Sequence, residues 1–104
     1  MNMTLIRAAM TVISLAAAGS ALAGPIESAC LRSDRNTASR NLCGCIQNVA
    51  DVVLTYGDQR RAAAFFSNPQ RAQDVRQSDR ASDEAFWLRY KAFGENAESY
   101  CSQG

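Results

Sequence analysis

Most of the chemistry this sequence offers rests on four cysteines, Cys30, Cys43, Cys45 and Cys101. Two stand one residue apart, in Cys43-Gly44-Cys45. Closely spaced cysteines suit thiol–disulfide exchange where a depressed pKa supplies a thiolate. The same residues suit structural bridges in a short chain that folds in an oxidising compartment. No thioredoxin-like strand pattern surrounds the motif, so the structural reading is preferred and exchange through Cys43/Cys45 is the alternative.

Other reactions lack their usual groups. The chain has no histidine, the commonest catalytic base. Its only lysine, Lys91, is expected on a solvated helix face near Glu95. The carboxylate pairs Asp79/Asp83 and Glu95/Glu98 read as charged surface, because glycosidase-type work needs carboxylates opposed across a cleft. Soft metal sites want cysteine with histidine or methionine at set spacing. The Cys-x-x-Cys-His haem pattern and a glycine-rich phosphate loop are both missing from the sequence. A non-enzymatic protein without metal or cofactor is therefore expected.

What remains is surface chemistry. Arg60, Arg61, Arg71, Arg76 and Arg80 face only Asp58, Asp74 and Asp79 in the same stretch, while residues 81–104 are mildly negative. Together with Trp87, which lies off the main apolar stripe of its helix, these arginines are the candidate face for a protein partner.

The N-terminus reads as an export signal. Arg7 precedes an apolar run from Ala8 to Ala18, Gly19-Ser20 breaks it, and Ala21-Leu22-Ala23 offers small residues to a signal peptidase. Cleavage after Ala23 is expected, because the run is shorter than the ~20 apolar residues of a membrane span. Removal of Arg7 leaves ten basic against ten acidic residues over 24–104. That balance gives little support to nucleic acid or anionic membrane as partner. The expected product is one periplasmic helical domain over residues 24–104, with no membrane span after signal removal.

Helical periodicity organises the rest. Pro25 opens a short helix that places Ile26, Ala29 and Cys30 on one face. A turn over Ser33-Asp34-Arg35-Asn36 leads into a central helix from about Thr37 or Ala38 to Tyr56, with its apolar stripe at 42, 45/46, 49, 52/53 and 56. Gly57 is expected to end it and Asp58 to cap the third helix. Asn68 is expected to cap a fourth helix that begins at Pro69 and rests on Ala72 and Val75. Ser82 is expected to cap the last helix, whose stripe is Phe86, Tyr90, Phe93, Ala97 and Tyr100/Cys101. The predicted fold is all-α, a small disulfide-stapled bundle of four to five helices, two of them long.

Helix geometry limits the bridges. Residues two apart on a helix point about 200° away from one another, so Cys43 and Cys45 cannot pair without unwinding it. A hairpin turning near 34–35 sets Cys30 closer to Cys43, and Cys45 lies on the stripe that would meet Cys101. Cys30–Cys43 with Cys45–Cys101 is favoured; Cys30–Cys45 with Cys43–Cys101 stays open.

Four stretches carry a resemblance. They are Pro25-Ile26-Glu27-Ser28-Ala29-Cys30-Leu31-Arg32-Ser33-Asp34-Arg35, Leu42-Cys43-Gly44-Cys45-Ile46, Asp58-Gln59-Arg60-Arg61-Ala62-Ala63 and Ser82-Asp83-Glu84-Ala85-Phe86-Trp87. In these the chain resembles a group of small exported four-cysteine proteins of Rhodobacter-like alphaproteobacteria, often labelled "arginine transporter". The resemblance hands over no catalytic or binding residue. A chain without a membrane span cannot itself carry a solute across a bilayer, so the label implies at most an accessory, ligand-binding role in amino-acid uptake. Arginine would then need a partly buried carboxylate, for which Glu27, Asp51 and Glu84 are the candidates.

Overall fold

Helix α1 (Pro25–Arg32) starts on a proline whose fixed φ suits a first turn, and it carries Glu27 near its N-terminus. It stops at Ser33, whose amide and hydroxyl both donate to the Cys30 carbonyl, at 3.1 and 2.7 Å. The computed structural model describes residues 23–33 and 38–102. Residues 1–22 of the expected signal, and most of the expected turn at 33–36, lie outside that range.

Four more helices follow: α2 (Arg40–Val53), α3 (Tyr56–Ser67), α4 (Gln70–Arg76) and α5 (Ala81–Cys101). The fold is all-α, and no strand occurs among the described residues. α2 packs between α1 and α5, α1 also rests on α3, and α4 bridges α3 and α5.

Four helix starts differ from the sequence expectation, each for a local hydrogen-bonding reason. Ser39 caps α2, its hydroxyl accepting from the Leu42 amide at 3.0 Å. α2 ends earlier than expected, at Val53, because Leu54 turns extended. Thr55 then caps α3 by accepting from the Asp58 amide at 3.1 Å. Tyr56, Gly57 and Asp58 thus form the first turn of α3, where the Asp58 carboxylate is hydrogen-bonded back to Thr55 as well as to Arg89. At the next joint Asn68 ends α3 and Pro69 precedes α4. No side chain caps α4; the Asn68 and Pro69 carbonyls accept from the Arg71 and Ala72 amides, both at 3.0 Å. α5 begins at Ala81, one residue before the expected cap Ser82, and Ser78 Oγ accepts from the Arg80 amide at 3.1 Å.

One core runs through the bundle: Ile26, Ala50, Leu54, Ala62, Phe65, Phe86 and Phe93. The α5 stripe is as expected except at its end, where Cys101 is buried and Tyr100 is exposed. The α2 stripe is rotated. Its most buried residues are Cys43, Gln47 and Ala50, followed by Leu54, whereas Val52 is 86 % exposed. The cause is that α2 is covered on two sides. Cys43, Gln47 and Ala50 are enclosed, while Ile46, Val49 and Val53 are only partly buried against the core.

Both favoured bridges are present. Cys30 bonds Cys43 with Cα atoms 5.6 Å apart, and Cys45 bonds Cys101 at 5.9 Å. These spacings lie within the ordinary disulfide range. α2 is therefore tied to α1 on one side and to the end of α5 on the other.

Candidate functional site

Three of the candidate arginines, on α3 and α4, gather around one surface hollow. Arg60 and Arg61 lie on α3, one turn before Ala64 and Phe65; Arg71 lies on the first turn of α4. The short Asn68-Pro69 joint folds α4 back beside α3, so the three arginines surround one hollow of about 480 Å³. Ala64, Phe65 and Val75 supply its apolar part and Asp74 its only acid. Asp74 accepts from the Gln70 amide nitrogen at 3.1 Å.

Arg61 is held in place from two sides. Its guanidinium bonds the Asp83 carboxylate at the start of α5 and lies 4.5 Å over the Phe86 ring. The Arg61 guanidinium, and after it the Ser78 hydroxyl, hold the Asp83 carboxyl below its ordinary range. Asp83 is thus not a free surface acid paired with Asp79; it is a buried anchor at the head of the α5 stripe. Arg60 and Arg71 are exposed, and neither enters an ion pair among the described residues.

The other candidates stand apart. Arg76 ends α4 and Arg80 precedes α5; both are exposed and neither lines the hollow. Trp87 is half-buried, with its ring 5.3 Å from that of Tyr90. It belongs to an aromatic chain in which Phe65 meets Phe86 and Tyr90 edge-on at 6.1 and 5.2 Å. A second ion pair lies nearby. Arg89 grips Asp58 through Nε and Nη2, at 2.7 and 3.1 Å, and pulls the Asp58 carboxyl below its ordinary value.

The three carboxylates considered for a cationic ligand separate. Glu27 and Asp51 line one shallow hollow with Asn48 and Tyr56, whereas Glu84 is exposed on α5. Beneath that hollow lies a polar cluster with no periodic signal in the sequence. Gln47 Oε1 accepts from the Glu27 amide at 2.8 Å, and its nitrogen donates to Asp51 and Gln59 at 2.8 and 2.7 Å. Gln59 in turn donates to the Ala50 carbonyl and to Asp51, at 3.3 and 3.2 Å. Both glutamines are buried and fully engaged in joining α1, α2 and α3.

Along α2 and α5 a further groove of about 470 Å³ is lined by Val49, Val52, Val53 and Tyr100, beside Cys45. All four cysteines are bonded. Cys43 is fully enclosed, so the Cys43-Gly44-Cys45 motif divides between two bridges pointing to opposite sides of α2. Among the described residues no group of three or more His, Cys, Asp or Glu side chains could hold a metal ion, and no helix is long and apolar enough to cross a membrane. No protein-family model, curated protein or solved structure matches the chain.

Proposed function

We propose that the chain is an exported, non-enzymatic binding module: a helical scaffold pinned by two disulfides that presents its α3–α4 face to a periplasmic protein. The observation that carries this reading is the convergence of Arg60, Arg61 and Arg71 on one hollow, with Arg61 locked by Asp83 and Phe86. Arg61, held by Asp83 over the Phe86 ring, fixes one edge of that hollow, and the exposed Arg60 and Arg71 beside its apolar floor present guanidinium forks that suit recognition of a planar anion. The bridges support the same reading. On a chain-entropy argument a loop of the Cys30–Cys43 span contributes about 3 kcal/mol and one of the Cys45–Cys101 span about 4 kcal/mol. A scaffold this small needs such help.

The test is photo-crosslinking in cells, with the reactive residue placed at position 60 or 71 and, as control, at position 91. One periplasmic protein captured from 60 and 71 but not from 91 is the expected result. Equal capture from all three positions, or none, overturns it. The signal reading is checked by N-terminal sequencing of the exported protein, which is expected to begin at Gly24.

Two other readings have an observation each. Glu27 and Asp51 share a hollow that would accept a small cation such as arginine; calorimetry showing no heat at millimolar arginine removes that. Cys45 is only partly buried, which is what exchange chemistry needs. A mild glutathione buffer that opens Cys45–Cys101 selectively would raise exchange above the structural role.

A further inference from the structure

We infer that the α3–α4 hollow receives an acidic protein segment in which an apolar side chain stands beside carboxylates. This rests on the binding-module reading and specifies what the module binds.

The two halves of the hollow ask for two kinds of group. Its rim holds Arg60, Arg61 and Arg71 against one acid, Asp74. Arg61 already answers Asp83, so its charge is largely spoken for and its role is to fix the edge of the site. Arg60 and Arg71 are exposed and enter no ion pair among the described residues. A planar carboxylate fits a guanidinium fork through two parallel hydrogen bonds. Between these arginines lie Ala64, Val75 and the edge of Phe65, which is 7 % exposed. Covering them favours an apolar side chain on the ligand, and a space of about 480 Å³ takes a few side chains rather than a folded domain.

Charge chooses carboxylate over other anions. Asp74 in the lining opposes a doubly charged phosphate more than a singly charged carboxylate. Residues 24–104 balance at ten basic against ten acidic residues, so the exported form lacks the broad positive field that draws a protein to anionic membrane or nucleic acid. A local pair of unanswered arginines on a neutral protein recognises a short acidic stretch of another protein.

The test uses the oxidised full chain and a fluorescein-labelled peptide of repeated Glu-Glu-Leu, followed by anisotropy. Binding is expected, weakening as salt is raised. Combined Arg60→Glu and Arg71→Glu is expected to weaken it by about tenfold or more, with an unchanged circular dichroism spectrum because both side chains are exposed. Combined Arg60→Lys and Arg71→Lys keeps the charge but loses the fork, and gives a smaller loss. Arg40→Glu, at the start of α2, changes nothing, and a Lys-Lys-Leu peptide does not bind. Inorganic phosphate and phosphatidylglycerol vesicles are expected not to displace the peptide.

Several results overturn the proposal. Peptide binding that survives the double reversal moves the site elsewhere. Displacement by vesicles makes the surface a membrane face. Self-association of the chain that the same reversal abolishes makes a second copy the occupant. If the peptide fails to bind at millimolar concentration while a crosslinker at position 60 still captures a protein, the acidic chemistry falls and the binding-module reading stands. If both fail, both fall.

Discussion

The two ends of this bundle are held together by different physics. Where α1, α2 and α3 meet, the joint is directional: buried glutamines Gln47 and Gln59 share hydrogen bonds with Asp51 and the backbone, beside the Cys30–Cys43 bridge. Where α3, α4 and α5 meet, the joint is mostly shape: Phe65, Phe86, Tyr90 and Phe93 pack ring against ring. Its ionic contacts, Arg61–Asp83 and Arg89–Asp58, lie toward the surface. A directional joint punishes any change in polarity or fit. An aromatic joint punishes lost volume and leaves its surrounding polar groups available for recognition. The arginine hollow lies at the aromatic joint.

The largest expected effect tests the aromatic side. Phe86 is 1 % exposed and lies under Arg61. Phe86→Ala should cost about 3–5 kcal/mol, read as a lower urea midpoint at unchanged slope. Phe86→Leu, which keeps most of the volume, should recover most of that loss. Gln47→Leu is the counterpart at the directional joint. It is close in size, yet it deprives the Glu27 amide and Gln59 Oε1 of their partner. A loss of about 2–4 kcal/mol is expected, because each buried unsatisfied group costs about 1–3 kcal/mol. If Gln47→Leu proved neutral and Phe86→Leu as harmful as Phe86→Ala, the distinction between the two joints would fail.

That contrast also explains what could be read in the sequence. The aromatic joint is periodic: Phe86, Tyr90 and Phe93 recur at helical spacing, and that spacing alone made the α5 face visible. The bridges followed from the rule that residues two apart on a helix diverge, with hairpin spacing ranking the partners. The directional joint leaves no such trace. A glutamine in a helix reads as solvent-facing, and only the folded neighbours of Gln47 and Gln59 make them interior. The cap at Thr55 did have a signal, since Thr55-x-x-Asp58 has the form of a capping box; the adjacent Gly57-Asp58 offered a competing turn. The rotation of the α2 face was hidden because periodicity assumes one covered side, and α2 has two. For the candidate site, the arginines were visible as a cluster. Which three would converge depends on the fold-back at Asn68-Pro69, and the pairing of Arg61 with Asp83 spans 22 residues without a local signature.

Two glycines give a finer comparison within one joint. A methyl group on Gly24 would run into the Gln47 side chain, which its hydrogen bonds hold in place. Gly24→Ala should cost about 1–3 kcal/mol by forcing that amide aside. Gly44, in the middle of α2, has only Glu27 Oε2 at 3.8 Å from such a methyl, an ordinary contact. Gly44→Ala should stabilise by about 0.5–1 kcal/mol, from helix propensity and a less flexible unfolded chain. Opposite signs in paired urea titrations are the expected outcome. Equal signs would mean that the Gln47 cluster yields, and that the joint is softer than its hydrogen bonds imply.

The smallest effect separates the joints by acid. Asp58 and Asp83 both titrate below the ordinary range of an aspartate carboxyl, chiefly through hydrogen bonds from Arg89 and Arg61. Carboxyls whose pKa is lower folded than unfolded contribute stability that is complete above the unfolded value and is lost as pH falls through the folded one. Their contribution should therefore be level from about pH 5 upward and decline below about pH 4. Asp58→Asn and Asp83→Asn should each be less stable than the parent near neutrality and converge toward it in acid, so their curves are flatter. Gly24→Ala alters fit without altering charge and should fall in parallel with the parent. High salt should shrink the gap for the two Asn variants, because both arginine partners are partly exposed. Acid curves for the Asn variants that run parallel to the parent would show that these ion pairs contribute nothing to the aromatic joint. Arg61 would then be held by the Phe86 ring alone, and the edge of the hollow would be less fixed than a preorganised site requires.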